Sequence, residues 1–353
     1  MSADKRLSEL LDVVIAQGGS DLHIFAGGSP MIRISGELIP LSRYPALTSE
    51  ETEAMLKSIV PPNRWNLFLA NQTIDLSYAH GDSGRFRVNG FRAQGMTALA
   101  LRLVPHAIRS FAELNLPPVL EVFTQHKQGF FLVVGPVGQG KSTTLATMID
   151  SINSSSAQHI VTIEDPIEYI FEPKKSLIHQ REVYIDAPDF HTALQSAFRE
   201  DVDVIMVGEM RDYETISSAV TAAETGHLVL STLHTNDAAQ TIDRIIDMFP
   251  AEQQDQVRVQ LAGSLAGIFS QRLVPRVSGG LIPAYELLIN NNAVSTLIRD
   301  RRTQEINAVI QTASQEGMID MDRMLADLAR RGEITVEHAY EHAMDPKTFE
   351  HYL

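Results

Sequence analysis

The first part of the chain contains segments with apolar residues at helical spacing and segments with apolar residues at every second position, as in a strand. Apolar residues recur every three or four positions in residues 7–15 and again in residues 48–59, so both segments are predicted helices. Alternation of apolar and polar residues predicts two strands within residues 20–41, joined by the turn AGGSP, and further strands at Ile74–Ala79, Arg85–Phe91 and Ala98–Val104. This mixture predicts a small α+β domain over residues 1–106.

A proline-rich linker at 107–118 separates this region from a different pattern. Short, wholly apolar runs now alternate with helical segments, at Phe130–Val134, Ile160–Ile163, Val204–Val207 and Leu228–Leu233. Continuous apolar strands separated by helices are typical of a parallel sheet that is buried on both faces and binds ligands at the carboxyl ends of its strands. Beyond Pro250 the pattern predicts helices and one strand at Tyr285–Ile289. Residues 119–353 are therefore predicted to form an α/β domain.

The first apolar run leads directly into a glycine-rich loop. The loop consists of Gly135, Pro136, Val137, Gly138, Gln139, Gly140, Lys141, Ser142 and Thr143. Strand, GxxxxGK[ST] and helix in this order are the context of a phosphate-binding P-loop. Its glycines let backbone N–H groups turn toward an anion, Lys141 can reach the β- and γ-phosphates, and the Ser142 hydroxyl can hold Mg²⁺. The sequence therefore predicts a site for ATP and Mg²⁺.

Polar residues follow the later strands of the same domain. Glu164, Glu209 and His234 each stand at the end of an apolar run, and Glu209 lies in a run of the Walker B form. In a parallel sheet all three would face the same crevice as Lys141. A carboxylate there can hold a Mg²⁺-bound water, or orient and deprotonate the attacking one, and a histidine can sense the γ-phosphate. Any one of them could be a solvated strand end, but together they indicate catalytic roles, with Glu209 and Ser142 as metal ligands.

Charge is distributed unevenly along the chain. The net charge is −15, yet residues 83–112 contain five arginines, no lysine and no acidic residue. Arginine without lysine favours directional contacts with anions or carboxylates. Arg87 and Arg102 are the preferred candidates for arginine fingers that act on the γ-phosphate of a neighbouring subunit. The alternative is that these arginines simply pair with acidic side chains.

Composition restricts the class of protein further. A net charge of −15 argues against a broad nucleic-acid groove. With no cysteine the chain has no disulfide and no thiolate zinc site. No apolar run approaches the length of a membrane span, and the first residues lack the apolar core of a secretory signal. These observations favour a cytoplasmic enzyme.

A series of motifs resembles the type IV pilus retraction ATPases of the secretion-ATPase superfamily nearly end to end. Besides the P-loop, the matching motifs are SDLH (20–23), GRFRVN (84–89), TIEDPIEY (162–169), VGEMRDYETI (207–216), GHLVLSTLHTN (226–236) and QRLVPR (271–276). The resemblance implies a PAS-like N-terminal domain joined to a RecA-like ATPase core. It also implies a homohexamer with nucleotide between subunits, which acts on the pilin machinery and an inner-membrane platform protein from the cytoplasmic face of that membrane.

Carried over position by position, the resemblance implies that Lys141 and Ser142 bind phosphate and Mg²⁺. Glu164 is then the catalytic carboxylate, Glu209 the Walker B glutamate and His234 the His-box histidine. Arginines of the GRFRVN strand would reach across a subunit interface. Membrane association would occur through partners only, and no nucleic acid is expected.

The chain departs from the family pattern at several positions. Gln139 replaces a small hydroxyl residue, Glu200 and Val202 replace a glutamine and a proline, and Ser295 replaces the arginine of an Ala-Ile-Arg signature tied to retraction. An extension or secretion ATPase is the nearest alternative, although those relatives typically have a longer N-terminal region and a four-cysteine zinc knuckle. A hexameric nucleic-acid translocase and a non-hydrolysing nucleotide-dependent scaffold are the alternatives from other classes.

Overall fold

A computed structural model describes residues 2–34, 36–81, 83–104 and 107–353 of the chain. It divides into a first unit, residues 1–107 together with 165–170, and a second unit, residues 108–164 and 171–353. The boundaries expected at 106 and 119 remain a prediction. Among the described residues, no helix combines the length and the apolar character needed to span a lipid bilayer.

The first unit is an antiparallel sheet packed against helices. Its elements are α1 (Ala3–Ala16), β1 (Asp21–Ile24), β2 (Met31–Ile34), β3 (Glu37–Pro40), α2 (Ser49–Ile59), α3 (Pro62–Asn71), β4 (Thr73–His80), β5 (Gly84–Ala93) and β6 (Met96–Val104). The strand order is β3-β2-β1-β6-β5-β4. Phe86 and Val88 of β5 are buried against Leu56 of α2 and its neighbours, whereas Arg87 between them is exposed. Alternating burial of this kind is expected for a sheet with one face in the core.

Two elements of the first unit differ from the prediction. Residues 20–41 form three strands rather than two, since β3 pairs with β2 beyond Gly36, whose φ of 89° favours glycine. Helix α3 was not predicted, because Pro61 and Pro62 were interpreted only as the end of α2. Pro62 instead occupies the first turn of α3, where its missing N–H group is not needed.

The second unit is built around a mainly parallel sheet. Its elements are α4 (Val119–Phe123), β7 (Gly129–Val134), α5 (Lys141–Ser155), β8 (His159–Glu164), β9 (Leu177–Glu182), α6 (Phe190–Ala197), β10 (Val204–Val207), α7 (Tyr213–Glu224), β11 (Leu228–Leu233), α8 (Ala238–Asp247), α9 (Gln254–Ser264), β12 (Leu265–Pro275), β13 (Leu281–Ile289), α10 (Asn292–Arg299), α11 (Ile306–Thr312), α12 (Met321–Arg330), α13 (Val336–His342) and α14 (Pro346–Tyr352). The strand order is β13-β12-β7-β11-β10-β8-β9.

The register of this sheet places several strand ends at one edge. Val134 of β7 pairs with Leu233 of β11, and Val207 of β10 pairs with Ile163 of β8, all in parallel. Strands β7 and β11 are buried along their whole length, as expected for parallel strands covered on both faces. The segments that follow β7, β8, β10 and β11 therefore leave the sheet on the same side.

The prediction of a helical region after Pro250 was wrong for β12. Residues 265–275 form a strand that lies between β7 and β13, parallel to the first and antiparallel to the second. A short apolar run does not by itself distinguish a buried strand from a buried helix, so the assignment depended on the neighbouring strands. The position of β12 matters because it lies directly beside the strand that enters the P-loop.

Candidate active site

The P-loop connects β7 to α5 through backbone conformations that require glycine. Gly135 has φ 142°, and a Cβ atom there would lie 2.3 Å from the carbonyl oxygen of Gln271. Gly140 caps the amino terminus of α5 in a left-handed conformation with φ 78°. Gly138 has φ 79° and faces open space. The loop is thus curled in the manner that exposes backbone N–H groups and a helix amino terminus to an anion.

Lys141 is the first residue of α5, and its side chain folds back into the loop. The residue is only 7% exposed, and Nζ donates hydrogen bonds to the carbonyl oxygens of Gly135 and Pro136, both at 2.8 Å. Nζ also lies 3.2 Å from Nδ1 of His234. An ammonium group only donates, so Nδ1 is the acceptor in this contact. The structure therefore brings together two of the predicted site residues, one at the start of α5 and one just after β11.

Glu209 extends this chain of contacts. Its Oε2 lies 3.7 Å from Nε2 of His234, and its Oε1 forms an ion pair with Arg211 at 2.5 Å. The Glu209 side chain is 18% exposed and that of His234 is 49% exposed. Lys141, His234 and Glu209 thus form one line of polar groups across the carboxyl edge of β7, β11 and β10.

Glu164 ends β8, the next strand along the same edge. It is 6% exposed, and its Oε1 accepts hydrogen bonds from Thr162 Oγ1 at 2.7 Å and Gln180 Nε2 at 3.2 Å. The backbone N–H of Gly208 donates to the carbonyl of Ile163, which joins the ends of β10 and β8. Glu164 and Glu209 consequently lie at the carboxyl ends of adjacent strands, β8 and β10.

The remaining P-loop residues differ in accessibility. Val137 is 80% exposed, whereas Ser142 and Thr143 at the start of α5 are half-buried. The Ser142 hydroxyl and the Glu209 carboxylate are oxygen donors of the kind that Mg²⁺ prefers, so the residues present fit this ion.

Sequence reasoning missed the residues of β12 that hold the loop. Gln271 is 3% exposed and bonds to both the P-loop and α5. The QRLVPR motif that contains it was recognised, but its strand was not. A buried glutamine at the end of an apolar run was the available signal, because buried amides need specific partners.

Arg87 and Arg102 belong to the first unit. They are direct cross-strand partners on β5 and β6, a placement of like charges that is unfavourable without compensation. A carboxylate accompanies each, with Arg87 3.5 Å from Glu168 and Arg102 Nε 2.9 Å from Asp21. Burial acts to raise the pKa of Asp21, but hydrogen bonds from Ser20 and Arg102 outweigh it and lower this pKa. The side chains remain 45% exposed for Arg87 and 72% exposed for Arg102.

Positions that depart from the family pattern have specific partners. Glu200 forms an ion pair with Arg181 at 2.7 Å, and Val202 is buried. Ser295 lies in α10, where its Oγ donates to the carbonyl of Ala262 at 2.9 Å. These substitutions are therefore accommodated within the fold of the second unit.

The chain is similar to a known family over most of its length. The family model for type II/IV secretion system proteins matches residues 70–332. The type IV pilus retraction ATPase PilT of Pseudomonas aeruginosa is 42% identical over 97% of this chain and 99% of its own length. A twitching motility protein of Neisseria gonorrhoeae is 44% identical over 91% of this chain and 86% of its own length.

A solved structure agrees with these relatives. The crystal structure of the pilus retraction motor PilT with bound ADP is 46% identical, with a TM-score of 0.91 over 98% of this chain and 99% of the other. The expected fold class, a RecA-like core with a smaller α+β domain, is thereby confirmed. The chain belongs to the type II/IV secretion system protein family, and its similarity to the pilus retraction ATPases extends over nearly its whole length.

Proposed function

We propose that the chain is a homohexameric motor ATPase that couples ATP hydrolysis to retraction of the type IV pilus. The observation that carries the proposal is the line of contacts from Lys141 through His234 to Glu209 at the edge of the sheet. Its relatives named as retraction and twitching proteins support the mechanical output. The absence of cysteine fits this group better than the extension and secretion ATPases that carry a zinc knuckle.

The substrate is held by the curled P-loop. Backbone N–H groups of the loop and the amino terminus of α5 bind the β- and γ-phosphates. Lys141 exchanges its bonds to the carbonyls of Gly135 and Pro136 for phosphate oxygens, which costs little since its ammonium group is already positioned. Ser142 and Glu209 would hold Mg²⁺, which supplies positive charge that neutralises the phosphates when bound.

The carboxylates divide the chemistry between them. Glu164, with Oε1 fixed by Thr162 and Gln180, orients the attacking water and accepts its proton. Glu209 forms an ion pair with Arg211 and lies near His234. Its carboxylate is thus placed to bind Mg²⁺ or a Mg²⁺-bound water, and to respond to the γ-phosphate through the contact with His234. The buried, hydrogen-bonded carboxylate of Glu164 keeps a fixed geometry during the reaction.

Assembly completes the site in this proposal. Arg87 and Arg102 keep much of their side chains exposed, and both would act on the γ-phosphate of a neighbouring subunit. The hexamer would work at the cytoplasmic face of the inner membrane, on the pilus platform protein and the pilin machinery, and would reach the membrane only through these partners.

Two experiments test the proposal at different levels. Lys141→Ala should abolish ATP turnover and weaken ADP binding by at least about tenfold, because a charged hydrogen-bond donor to phosphate is lost. Unchanged affinity would exclude the P-loop assignment. Deletion of the gene in its host should give hyperpiliated cells that do not retract pili, whereas bald cells would indicate an extension ATPase.

A further inference from the structure

Strand β12 extends beyond the strand with which it pairs. Its parallel pairing with β7 ends at Ser270 and Val134, but β12 continues to Pro275. From this point the neighbour of β12 on that side is the P-loop. A backbone N–H group that points toward such a loop, away from water, needs an acceptor that a strand would otherwise provide.

Gln139 provides this acceptor from within the P-loop. Its Oε1 accepts a hydrogen bond from the backbone N–H of Leu273 at 2.6 Å, so the side-chain amide takes the place of a strand carbonyl. The small hydroxyl side chain that relatives usually carry is two bonds shorter. The departure at Gln139 is therefore a specific contact between the P-loop and β12.

Gln271 forms the reciprocal contact from β12. Its Nε2 donates to the backbone carbonyl of Gln139 at 2.7 Å, and its Oε1 accepts from Thr144 Oγ1 of α5 at 2.7 Å. One buried amide thus bonds both the loop and the helix that follows it. Because Gly138 and Gly140 flank Gln139 with positive φ values, the backbone at this point has little stiffness of its own.

The same hairpin also holds the loop that follows His234. Ser270 Oγ donates to the carbonyl of Asn236 at 2.7 Å, and Glu286 of β13 accepts from the backbone N–H of Ala238 at 2.8 Å. Ser270 and Gln271 are consecutive residues of a strand, so their side chains point to opposite faces of the sheet. β12 is therefore bonded to both loops that bear Lys141 and His234.

We propose that Gln139 and Gln271 are positioning residues that hold the P-loop in its nucleotide-binding conformation, and that Ser270 positions the His234 loop from the same strand. This inference rests on the proposed function, since it assigns a role in nucleotide binding and turnover. It predicts separable effects: the glutamines act on affinity for any nucleotide, and Ser270 acts on the rate of turnover.

The test compares variants of Gln139 and Ser270 with a control variant in the assembled protein. Gln139→Met retains the length of the side chain and removes the acceptor, Ser270→Ala removes the bond to Asn236, and Gln311→Met on the exposed face of α11 is the matched control. ADP dissociation constants, KM and kcat for ATP, and the melting temperature without nucleotide are measured for each.

Gln139→Met should raise the ADP dissociation constant and the KM for ATP about tenfold with kcat within about twofold, because the half-buried backbone N–H of Leu273 loses its acceptor. Ser270→Ala should lower kcat and leave ADP affinity within about twofold. Gln311→Met should behave as the parent. Gln139→Leu, which also lacks an acceptor, is measured beside Gln139→Met, so that failure of one variant to fold leaves the affinity testable.

Unchanged ADP affinity in the folded Gln139 variants would overturn the proposal. A lower melting temperature with no selective change in affinity would overturn it too, since the contact would then be structural only. Lys141→Ala separates this outcome from failure of the proposed function. If Lys141→Ala loses ADP while Gln139→Met does not, the positioning role alone is wrong; if neither loses it, the ATPase assignment itself fails.

Discussion

Nζ of Lys141 lies 3.2 Å from Nδ1 of His234, which accepts in this contact because an ammonium group only donates. His234→Asn places an amide oxygen near the position of Nδ1, whereas His234→Gln reaches the position of Nε2. We expect kcat/KM for ATP to be about tenfold lower in His234→Gln than in His234→Asn, because a hydrogen bond to a charged group contributes roughly 1.5–3 kcal/mol. Steady-state kinetics of the two variants measure the difference. Equal rates would mean that the contact with Lys141 is not used in turnover.

Glu164→Gln should separate binding from hydrolysis. The amide oxygen can still accept from Thr162 and Gln180, so the site should remain folded and bind ADP as the parent does. Turnover should fall by about 10²–10⁴-fold, since the side chain can no longer accept a proton. Glu182→Gln is the matched control: Glu182 is a buried carboxylate and the cross-strand partner of Glu164 on β9. A similar loss in both variants would contradict a specific role for Glu164.

Arg87 can be tested by mixing subunits. Hexamers of Arg87→Ala alone and of Lys141→Ala alone should both be inactive. Mixed hexamers should regain ATP turnover, because the Lys141→Ala subunit supplies Arg87 to an intact P-loop on its neighbour. Arg92→Ala is the control on the same strand, since Arg92 pairs with Glu53 at 2.7 Å, and its homohexamer should hydrolyse ATP without mixing. If no ratio of Arg87→Ala and Lys141→Ala subunits restored activity, Arg87 would not act in trans.

Stability should depend on pH through Glu286. Burial raises the pKa of this carboxyl from 4.5 to about 8, an effect that the hydrogen bond from Ala238 opposes and nearby Asp237 reinforces. The folded chain therefore keeps a proton that the unfolded chain releases, so this group's stabilising contribution is complete below pH 4.5 and is lost as pH rises toward 8. The glutamine in Glu286→Gln keeps an oxygen that can accept from the backbone N–H of Ala238, but its amide does not titrate. Relative to the parent, its free energy of unfolding should increase by roughly 4 kcal/mol between pH 5 and pH 8.

Glu333 is the control of opposite sign for this titration. A hydrogen bond from Arg276 lowers the pKa of this half-buried carboxyl, so its contribution is present above the usual pKa of a glutamate and is lost only in acid. Denaturant unfolding across pH 3–8 distinguishes the two variants, because Glu286→Gln should depart from the parent between pH 5 and pH 8 and Glu333→Gln only below pH 4.5. A Glu286→Gln curve parallel to that of the parent would show that Glu286 is ionised in the folded chain throughout this range.

The sequence alone determined the features that depend on neighbouring residues. The P-loop was identified because strand, glycines and helix are contiguous over 129–155, and no distant contact is needed to form that order. The start of α2 was also predictable, since Thr48 and Glu51 satisfy each other's backbone groups in a capping box. The alternation around Arg87 likewise follows from the two-residue period of a strand.

The tertiary structure decided which of these features meet. The contact of Lys141 with His234 joins residues 93 positions apart, and that of Gln139 with Leu273 joins residues 134 apart. Both depend on β7 lying between β12 and β11, an order that local hydrophobic patterns do not specify. For the same reason β12 was not predicted within the largely helical region expected after Pro250: its apolar run becomes a strand only because β7 and β13 supply its hydrogen-bond partners.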